Sequence, residues 1–387
     1  MKWLNNCICL LAALTLLTGC AALQVAPPPE APVQVPTPAE APAPEPPAET
    51  AFRLTAVGDL MCHKLQYQAA LGPEGYDFRD SFTLIQPEFA ASDLVIGNLE
   101  TTFAGPERTY SEYPTFNTPD AFADALAALG IDAVTTANNH SLDRRFYGLS
   151  RTLDVLDRAG LKHTGTFRAP EEDRVLLLEE KGLRIALLAY SYGTNGIPFD
   201  KGKAYSVNLI DEALIRADLA LARELAPDLI VVGLHFGQEY QQAPNDSQKA
   251  LTALCFAEGA DVVLGTHPHV VQAQELRPVT DRFGVTKTRF VAYSLGNFVS
   301  AQRTAPRDAG VITHLDLVKS GEVTEIRRVV NTPTWVDQST GAGRSMFRVL
   351  PVRKALDDPE AMGLLTEKDL FKLNRSWEYV NRALKAQ

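Results

Sequence analysis

Two patterns of apolar residues alternate along the chain from Ala51 onward. Short, almost wholly apolar runs indicate buried strands, and longer stretches with apolar residues on one face indicate amphipathic helices. The strand candidates are 52–57, 93–96, 133–136, 184–190, 229–234, 261–264 and 289–293. The helix candidates are 121–129, 149–159, 211–226 and 247–258. This alternation predicts an α/β fold in which helices cover buried sheets.

Glycines mark the ends of three predicted helices, since Gly130, Gly160 and Gly259 each follow one of them. A left-handed C-cap is expected at such positions. The pattern changes after Gly310, where runs 311–318 and 322–330 flank Lys319-Ser320-Gly321 and predict a β-hairpin. A polar helical tail is predicted from about Asp358, so we divide the folded part into a domain at 51–355 and a tail at 356–387.

The first fifty residues differ from the rest of the chain. Lys2 precedes an apolar run that ends at Leu17-Thr18-Gly19-Cys20, so residues 1–19 are typical of a signal peptide and too short for a comfortable bilayer span. The last four of these residues resemble a bacterial lipobox, in which Cys20 is lipidated. Residues 20–50 are rich in Pro, Ala and Glu and predict a semi-rigid tether. We therefore expect an extracytoplasmic domain anchored to the membrane through Cys20.

Composition narrows the classes of function. The 387 residues are 45% apolar and 22% charged, and their net charge is −10, which is ordinary for a globular protein and disfavours nucleic-acid binding. Of five cysteines, Cys7 and Cys9 belong to the signal peptide and Cys20 to the lipid site. Cys62 and Cys255 remain, either as a disulfide or as buried thiols, and no Cys-x-x-Cys spacing suggests a thiolate metal site.

Polar residues follow six of the strand candidates directly. The segments are Gly58-Asp59-Leu60-Met61-Cys62-His63, Gly97-Asn98-Leu99-Glu100, Asn138-Asn139-His140-Ser141-Leu142-Asp143, His235-Phe236-Gly237-Gln238-Glu239, Gly265-Thr266-His267-Pro268-His269 and Ser294-Leu295-Gly296-Asn297-Phe298. Ligands of open α/β sheets bind outside the carboxyl ends of the strands, so these segments are expected to converge on one cleft. Five of the seven histidines lie in them, whereas His163 and His314 lie elsewhere and are expected to be structural.

The side chains in this cleft predict a metal site. Imidazole, carboxylate and amide groups without thiolates suit Mn²⁺, Fe or Zn²⁺ in a catalytic site. The His-x-His pair could serve one ion or be split between two, and one or two divalent ions would supply a hydroxide nucleophile and polarise a substrate. The predicted ligands are Asp59, His63, Glu100, Asn139, His235, His267 and His269, although His63 could instead simply begin the following helix.

The ordered motifs resemble the CapA family of bacterial poly-γ-glutamate capsule synthesis proteins, which are similar to calcineurin-like metallophosphoesterases. The resemblance runs from Gly58 to about Gln302 and also includes Tyr113-Pro114-Thr115-Phe116-Asn117 and Tyr293-Ser294-Leu295-Gly296-Asn297-Phe298. It implies a four-layer α/β/β/α sandwich with a dinuclear metal site. It also implies an anionic cell-surface polymer as partner, together with membrane proteins of polymer synthesis or export.

The resemblance implies individual roles and shows two departures. Asp59 matches the first metal-binding Asp, but Met61 occupies the next ligand position, for which His63 is the candidate replacement. Asn98 stands where a bridging carboxylate is usual, and Glu100 is the nearest carboxylate.

The remaining histidines match the metallophosphoesterase pattern more closely. The resemblance implies that Asn139 is a ligand and that His140 lies near the leaving group, while His235, His267 and His269 match the other His ligands.

Further candidates are expected in the cleft beside the predicted ligands. Asp143 could orient His140 and act with it in catalysis, and the predicted cleft is lined by Asn98, Tyr113, Asn117, Glu239 and Asn297. Two turns that approach Gly-x-Ser-x-Gly have Ala at their first position and give little support to a serine hydrolase. Two hypotheses therefore remain: a metal-dependent hydrolase or transferase that acts on the polymer, and a non-catalytic module that binds or exports it.

Overall fold

The structure is a computed structural model that describes residue 26 and residues 49–341, 344–363 and 365–385. The chain divides into two units, Met1–Pro46 and Pro47–Gln387. All strands and helices of the described residues belong to the second unit. The predicted signal peptide, Cys20 and nearly all of the tether lie outside the described residues. Within the described part of the chain, no helix is both long and apolar enough to cross a membrane.

The second unit contains sixteen strands and seven α-helices within the described ranges. The strands are β1 (Glu49–Leu60), β2 (Leu71–Gly72), β3 (Gly75–Tyr76), β4 (Leu94–Leu99), β5 (Ala133–Thr135), β6 (Lys162–Thr164), β7 (Leu176–Glu180), β8 (Leu183–Ser191), β9 (Leu229–His235), β10 (Val262–Thr266), β11 (Gln274–Thr280), β12 (Thr286–Ala292), β13 (Asn297–Val299), β14 (Ala309–Ser320), β15 (Val323–Gly341) and β16 (Arg344–Pro351). The helices are α1 (Lys64–Ala70), α2 (Ala121–Leu129), α3 (Arg145–Ala159), α4 (Glu212–Glu224), α5 (Asp246–Ala257), α6 (Val352–Asp357) and α7 (Glu367–Lys385).

Two large sheets form the centre of the fold. The first has the order β16-β15-β14-β1-β4-β5-β6, with β13 also paired to β1, and the second has the order β11-β12-β10-β9-β8-β7. Strands β1, β4, β5 and β6 are parallel neighbours, as are β8, β9, β10 and β12, whereas the strands toward the other edges run antiparallel. The carboxyl ends of the parallel strands therefore meet at one edge of each sheet.

The apolar side chains divide into the layers of an α/β/β/α sandwich, which confirms the predicted fold class. Val95 packs in the cluster between the first sheet and helices α2 and α3, and the next residue, Ile96, packs between the two sheets. Leu187 and Leu188 likewise face the inter-sheet cluster and the cluster beneath α4 and α5. Both faces of these strands are buried, which explains why their sequences are apolar throughout rather than alternating.

The predicted helices match the structure closely. Gly130 and Gly160 adopt left-handed conformations with φ of 104° and 79° and cap α2 and α3, as expected for a residue without a Cβ. Helix α4 begins after Asp211, whose side chain accepts a hydrogen bond from the backbone N–H of Leu214. Hence the periodicity and the local capping signals were sufficient to locate these helices.

The C-terminal region is more integrated than its sequence pattern suggested. The hairpin is present as β14 and β15, but β14 also pairs with β1 and β16 adds a third strand, so the hairpin extends the first sheet. The tail helix α7 places Tyr379 and Val380 in the inter-sheet cluster, and Leu373 packs with Trp335. The boundary predicted after residue 355 lies inside α6, and the tail is part of the same core.

The two remaining cysteines are free and buried in different clusters: Cys62 lies in the cluster that α2 and α3 cover, and Cys255 lies on α5 itself and faces the cluster between that helix and the second sheet. Burial raises the pKa of both thiols, that of Cys255 to about 12. His163 lies 3.0 Å from Asp157, and Nδ1 of His314 lies 2.8 Å from the hydroxyl of Thr55.

Candidate metal centre

Strand register brings the predicted site residues together. Asp59 at the end of β1 is level with Asn98 on β4, and His235 at the end of β9 is level with Thr266 on β10. Asp59 is also level with Asn297 on β13. Residues more than 200 positions apart in the chain therefore meet at one edge, as expected from the carboxyl ends of parallel strands.

Glu100 occupies the centre of this cluster. Its side chain is fully buried, and neither carboxylate oxygen has a hydrogen-bond partner. Its Oε1 lies 3.7 Å from Nε2 of His235 and 3.7 Å from Nε2 of His269. Burial, followed by the nearby charge of Asp59, raises the pKa of Glu100 well above its usual value. Since a buried carboxylate without partners is costly, this arrangement is typical of a group that serves a cation.

Two overlapping groups of side chains have the geometry of metal ligands, and Glu100 belongs to both. One comprises Glu100, His267 and His269, and the other comprises Asp59, Glu100 and His235. Within each group the ligand atoms lie within 4.8 Å of one another. Nitrogen and oxygen donors of this kind fit a divalent transition metal.

The electrostatics of the imidazoles suit metal binding as well. Burial, followed by the neighbouring histidines, lowers the pKa of His235 well below its usual value. Burial likewise lowers the pKa of His267 to about 4. Both rings therefore stay neutral near pH 7 and keep a lone pair for a metal. Moreover, Nδ1 of His267 has no hydrogen-bond partner.

Neighbouring polar groups orient these ligands. Nδ1 of His269 lies 3.0 Å from Oδ2 of Asp59 and 3.0 Å from Oδ1 of Asn297. Asn98 donates from Nδ2 to the other oxygen of Asp59 at 2.8 Å, and Nδ1 of His235 lies 3.0 Å from the hydroxyl of Thr266. Partners of this kind fix ring orientation and tautomer in metal sites. Asn98 and Asn297, predicted to line the cleft, thus hold ligands in place.

The backbone of the His-x-His segment is strained. His267 and His269 both have positive φ, at 99° and 58°. Residues with a Cβ rarely adopt this left-handed region, and such strain is concentrated at functional sites. This strained, irregular segment presents the side chains of both His267 and His269 to the cluster, where they form one ligand group with Glu100.

Asn139 faces His235 across the cluster. Its Oδ1 lies 2.9 Å from Nε2 of His235, and its Nδ2 donates to Oδ1 of Asn195 at 3.2 Å. The structure thus places this predicted amide ligand in contact with a predicted imidazole ligand.

His140 and Asp143 form a buried pair beside the ligands. Nδ1 of His140 donates to Oδ2 of Asp143 at 2.7 Å, and the same oxygen accepts the backbone N–H of Phe116 at 2.6 Å. The edge of the His140 ring packs against Phe116 with centroids 4.7 Å apart. Burial raises the pKa of Asp143, although its bond to His140 opposes that effect. The ring is therefore held in one orientation by both hydrogen bonding and packing.

The structure places His63 outside both ligand groups. It is the N-cap of α1, and its Nδ1 accepts the backbone N–H of Ala301 at 3.3 Å and lies 3.2 Å from Oε1 of Gln66. Burial lowers the pKa of this ring to about 4. Met61, in the position of a usual ligand, is buried. His63, which was expected to replace Met61 as a ligand, thus contacts residues at the start of α1.

Three other predicted cleft residues occupy different surroundings. The side chain of Asn117 is buried and bonds to backbone groups of Ala104, Gly105 and Thr109, so it organises a loop. Tyr113 is 70% exposed. Glu239 is exposed, and its charge contributes to the raised pKa of Glu100. It therefore lies within electrostatic reach of the centre.

Three exposed tyrosines surround the buried cluster, and we call them the tyrosine rim: Tyr113, Tyr192 and Tyr240. Their ring centroids lie 6.5 Å from His140, 4.5 Å from His267 and 6.1 Å from His269, respectively. Sequence reasoning missed Tyr192 and Tyr240 as site residues. Tyr192 follows the end of β8 and Tyr240 the end of β9, so the rule that selected the histidines would have selected both.

The chain is similar in sequence to capsule biosynthesis proteins. The chain is 28% identical over 310 residues to the PGA biosynthesis protein CapA of Bacillus subtilis, covering 76% of each chain. It is 27% identical over 271 residues to the capsule biosynthesis protein CapA of Bacillus anthracis, covering 67% of this chain and 63% of that one.

Among solved structures, the calcineurin-like phosphoesterase YfkN of Bacillus subtilis matches with a TM-score of 0.47 and 15% identity, covering 86% of this chain and 100% of that one. Residues 53–302, which include every ligand candidate, match the sequence model of the bacterial capsule synthesis protein PGA_cap. The chain therefore belongs to the PGA_cap family of bacterial capsule synthesis proteins, the CapA family that its motifs resemble.

Proposed function

We propose that this protein is a divalent-metal-dependent hydrolase or transferase that acts on an anionic capsule or cell-surface polymer, of which poly-γ-glutamate is the leading example. Family membership supports the capsule context. Metal dependence is supported chiefly by Glu100. Its carboxylate is buried without hydrogen-bond partners and lies 3.7 Å from two imidazoles. Such a group is expensive to bury unless a cation compensates it.

The two ligand groups would share Glu100, with His267 and His269 on one side and Asp59 and His235 on the other. The absence of sulfur donors favours Mn²⁺, Fe or Zn²⁺, in one or two positions. When bound, the metal would supply a water made nucleophilic at neutral pH and a Lewis acid for the acyl or phosphoryl oxygen. Asn98 and Asn297 would keep Asp59 and His269 in the ligating orientation.

His140 would handle the proton of the leaving group. Because its Nδ1 is bonded to Asp143, the proton exchanged with substrate is the one at Nε2. Asp143 would fix the tautomer and stabilise the imidazolium, as a carboxylate beside a catalytic histidine does. Phe116 would limit rotation of the ring, since it packs against its edge and donates its backbone N–H to Asp143.

The N-terminal sequence supports a further proposal about where the protein acts. We propose that Cys20 carries lipid and that residues 20–50 tether the domain outside the membrane. At roughly 3.1 Å per residue in an extended proline-rich chain, such a tether could reach about 90 Å. Polymer made or exported at the membrane would then pass within range of the site, beside membrane proteins of the same process.

The test combines metal analysis with two assays on the mature protein bearing Cys20→Ser. We expect bound metal by mass spectrometry, a higher melting temperature with Mn²⁺ or Zn²⁺, and metal-dependent cleavage of a γ-glutamyl peptide or a generic phosphodiester. His267→Gln should abolish all three results, whereas His163→Gln, at a histidine paired with Asp157, should leave them intact. Absence of metal and of any thermal response would refute the proposal. Metal and polymer binding without turnover would instead indicate a binding module.

A further inference from the structure

Arg307 lies at the edge of the metal centre, on the segment between β13 and β14. Its guanidinium carbon is 3.4 Å from the centroid of the Tyr240 ring. A guanidinium stacked on an aromatic face is held by cation–π attraction and keeps its N–H groups free around its edge. Arg307 is therefore a rigidly held cation, stacked on one member of the tyrosine rim.

Both members of the pair are tied to the His-x-His segment. The carbonyl of Arg307 accepts Nδ2 of Asn297 at 2.9 Å, and Oδ1 of the same Asn297 lies 3.0 Å from Nδ1 of His269. Tyr240 donates its backbone N–H to the carbonyl of Pro268 at 2.8 Å, and its ring lies 6.1 Å from that of His269. Two separate connections thus fix the cation relative to a metal-ligand candidate.

The charge of Arg307 is not neutralised within the described part of the chain, where it has no ion pair and no side-chain hydrogen bond. Its neighbours differ: Arg375 pairs with Asp308, and Arg303 donates to the carbonyl of Val336. Burial, followed by Glu239, raises the pKa of Tyr240 to about 12, so the phenol stays neutral and does not compensate the cation. A fixed arginine without a partner at a site rim is suited to an oxyanion.

We propose that Arg307, supported by Tyr240, binds a carboxylate of the polymer next to the linkage that lies over the metal centre. The inference rests on the proposed function, which it deepens by assigning a residue to the anionic character of the substrate. The chain has a net charge of −10 and would repel a polyanion without a local cation. A phosphoryl group has the same oxyanion chemistry, so the test separates it from a carboxylate.

The experiment measures binding of a fluorescent γ-linked glutamate decamer by anisotropy, with Mn²⁺ present. The variants are Arg307→Gln, Arg307→Lys and Tyr240→Leu, with Arg327→Gln as control because Arg327 is exposed on β15 and paired with Glu325. We expect Arg307→Gln to weaken binding about 10-fold or more at low salt, and less at high salt because the interaction is ionic. The affinities of Arg307→Lys and Tyr240→Leu for the decamer should lie between those of Arg307→Gln and the parent. The affinity of Arg327→Gln should stay within about twofold of the parent value.

Several outcomes would overturn the inference. If Arg307→Gln and Arg327→Gln bind the decamer with equal affinity, and their melting temperature and metal content are unchanged, Arg307 takes no part in substrate binding. Should Arg307→Gln fold poorly, unchanged affinity of Tyr240→Leu and Arg307→Lys would do the same. If the decamer does not bind, while inorganic phosphate raises the melting temperature of the parent and not of Arg307→Gln, Arg307 would be assigned to a phosphoryl group instead. Because binding is measured without turnover, failure of the enzymatic proposal would leave this result readable.

Discussion

Replacing Glu100 by Gln should raise the melting temperature of the metal-free protein. It should also reduce the further rise in melting temperature that added metal causes. The substitution keeps the shape of the side chain but removes its ionisable group. In the parent, both oxygens of Glu100 are buried without partners, and Asp59 is close enough to raise the pKa of the carboxyl. An amide in the same place can donate a hydrogen bond to Asp59 rather than repel it.

The size of the effect follows from the separation of the two carboxylates. Ligand oxygens of Asp59 and Glu100 lie within 4.8 Å, so two full charges would repel by about 3 kcal/mol at an effective dielectric constant of about 20. Protonation of Glu100 relieves part of this cost, which leaves an expected gain of about 1–2 kcal/mol for Glu100→Gln near neutral pH. At about 2–4 °C per kcal/mol, the metal-free melting temperature should rise by about 2–8 °C.

The gain should depend on pH. Since the folded pKa of Glu100 is raised above its unfolded value, its contribution to stability is present below the unfolded pKa and is lost as the pH rises toward the folded pKa. Glutamine has no such dependence. The difference between the variant and the parent should therefore grow as the pH rises above the ordinary glutamate pKa of 4.5, contrary to the behaviour of a carboxylate stabilised by a partner.

Metal should act in the opposite direction. A ligand at about 100 times its dissociation constant stabilises a protein by about 2.7 kcal/mol, and a 100-fold loss of affinity reduces this to about 0.4 kcal/mol. Differential scanning fluorimetry with EDTA and then with excess Mn²⁺ or Zn²⁺ measures both effects. The matched control is Glu258→Gln, another fully buried glutamate, which is paired with Arg216 and Arg282. It should destabilise the protein and leave the metal response unchanged.

The refuting result is specific. If Glu100→Gln lowers the metal-free melting temperature as Glu258→Gln does, then Glu100 has a stabilising partner and is not poised for a cation. A full thermal response to metal in Glu100→Gln would likewise exclude Glu100 as the shared ligand. Glu100→Gln removes the pH dependence of stability that comes from Glu100 whether or not this residue binds metal. The pH profile therefore does not replace the two melting-temperature measurements.

Three further substitutions test other parts of the proposal. Asn98→Asp should lower metal-free stability by about 1–3 kcal/mol, because a donor to Asp59 becomes a second carboxylate, but should raise the metal content measured by mass spectrometry. Asp143→Asn should reduce kcat about 100-fold with unchanged metal content, because it frees the orientation of His140. Cys20→Ser should move the protein from the membrane to the soluble fraction of the producing cell.

Each substitution has a contrary result. Unchanged metal content in Asn98→Asp would show that the position does not face a cation. A parent-like kcat in Asp143→Asn would remove the His140 pair from proton transfer, with Asp157→Asn, beside the non-site His163, as its control. Retention of the Cys20→Ser protein in the membrane fraction would contradict lipid anchoring, whereas Cys62→Ser, at a buried thiol, should not affect the distribution.

Sequence reasoning located the site because strand ends are visible in the chain. Asp59, His235 and His267 each follow or end an apolar run, and parallel strands bring such positions to one edge. The same logic placed Glu100 in the site without indicating that both its oxygens lack partners. It also left His63 as a ligand, because sequence spacing does not show whether a ring faces the cleft or begins a helix.

Local signals predicted most of the helices, while long-range pairing was hidden. Gly130 and Gly160 marked helix ends because a left-handed cap is a property of one residue and its neighbours. The join of β14 to β1 has no such local signature, since the paired residues lie more than 200 positions apart in the chain. Likewise, the tail was recognised as helical, but its burial of Tyr379 between the sheets was not.

The amino-acid sequence by itself determined the alternation of buried strands and helices, the edge at which the polar residues meet and the donor types that a metal would find there. Tertiary structure alone decided the partners. It left Glu100 unpartnered among imidazoles, bonded His140 to Asp143, and placed Arg307 on Tyr240. The reason is physical: periodicity and capping act within a few residues, whereas side-chain direction, burial and charge compensation depend on segments that meet only after the chain has folded.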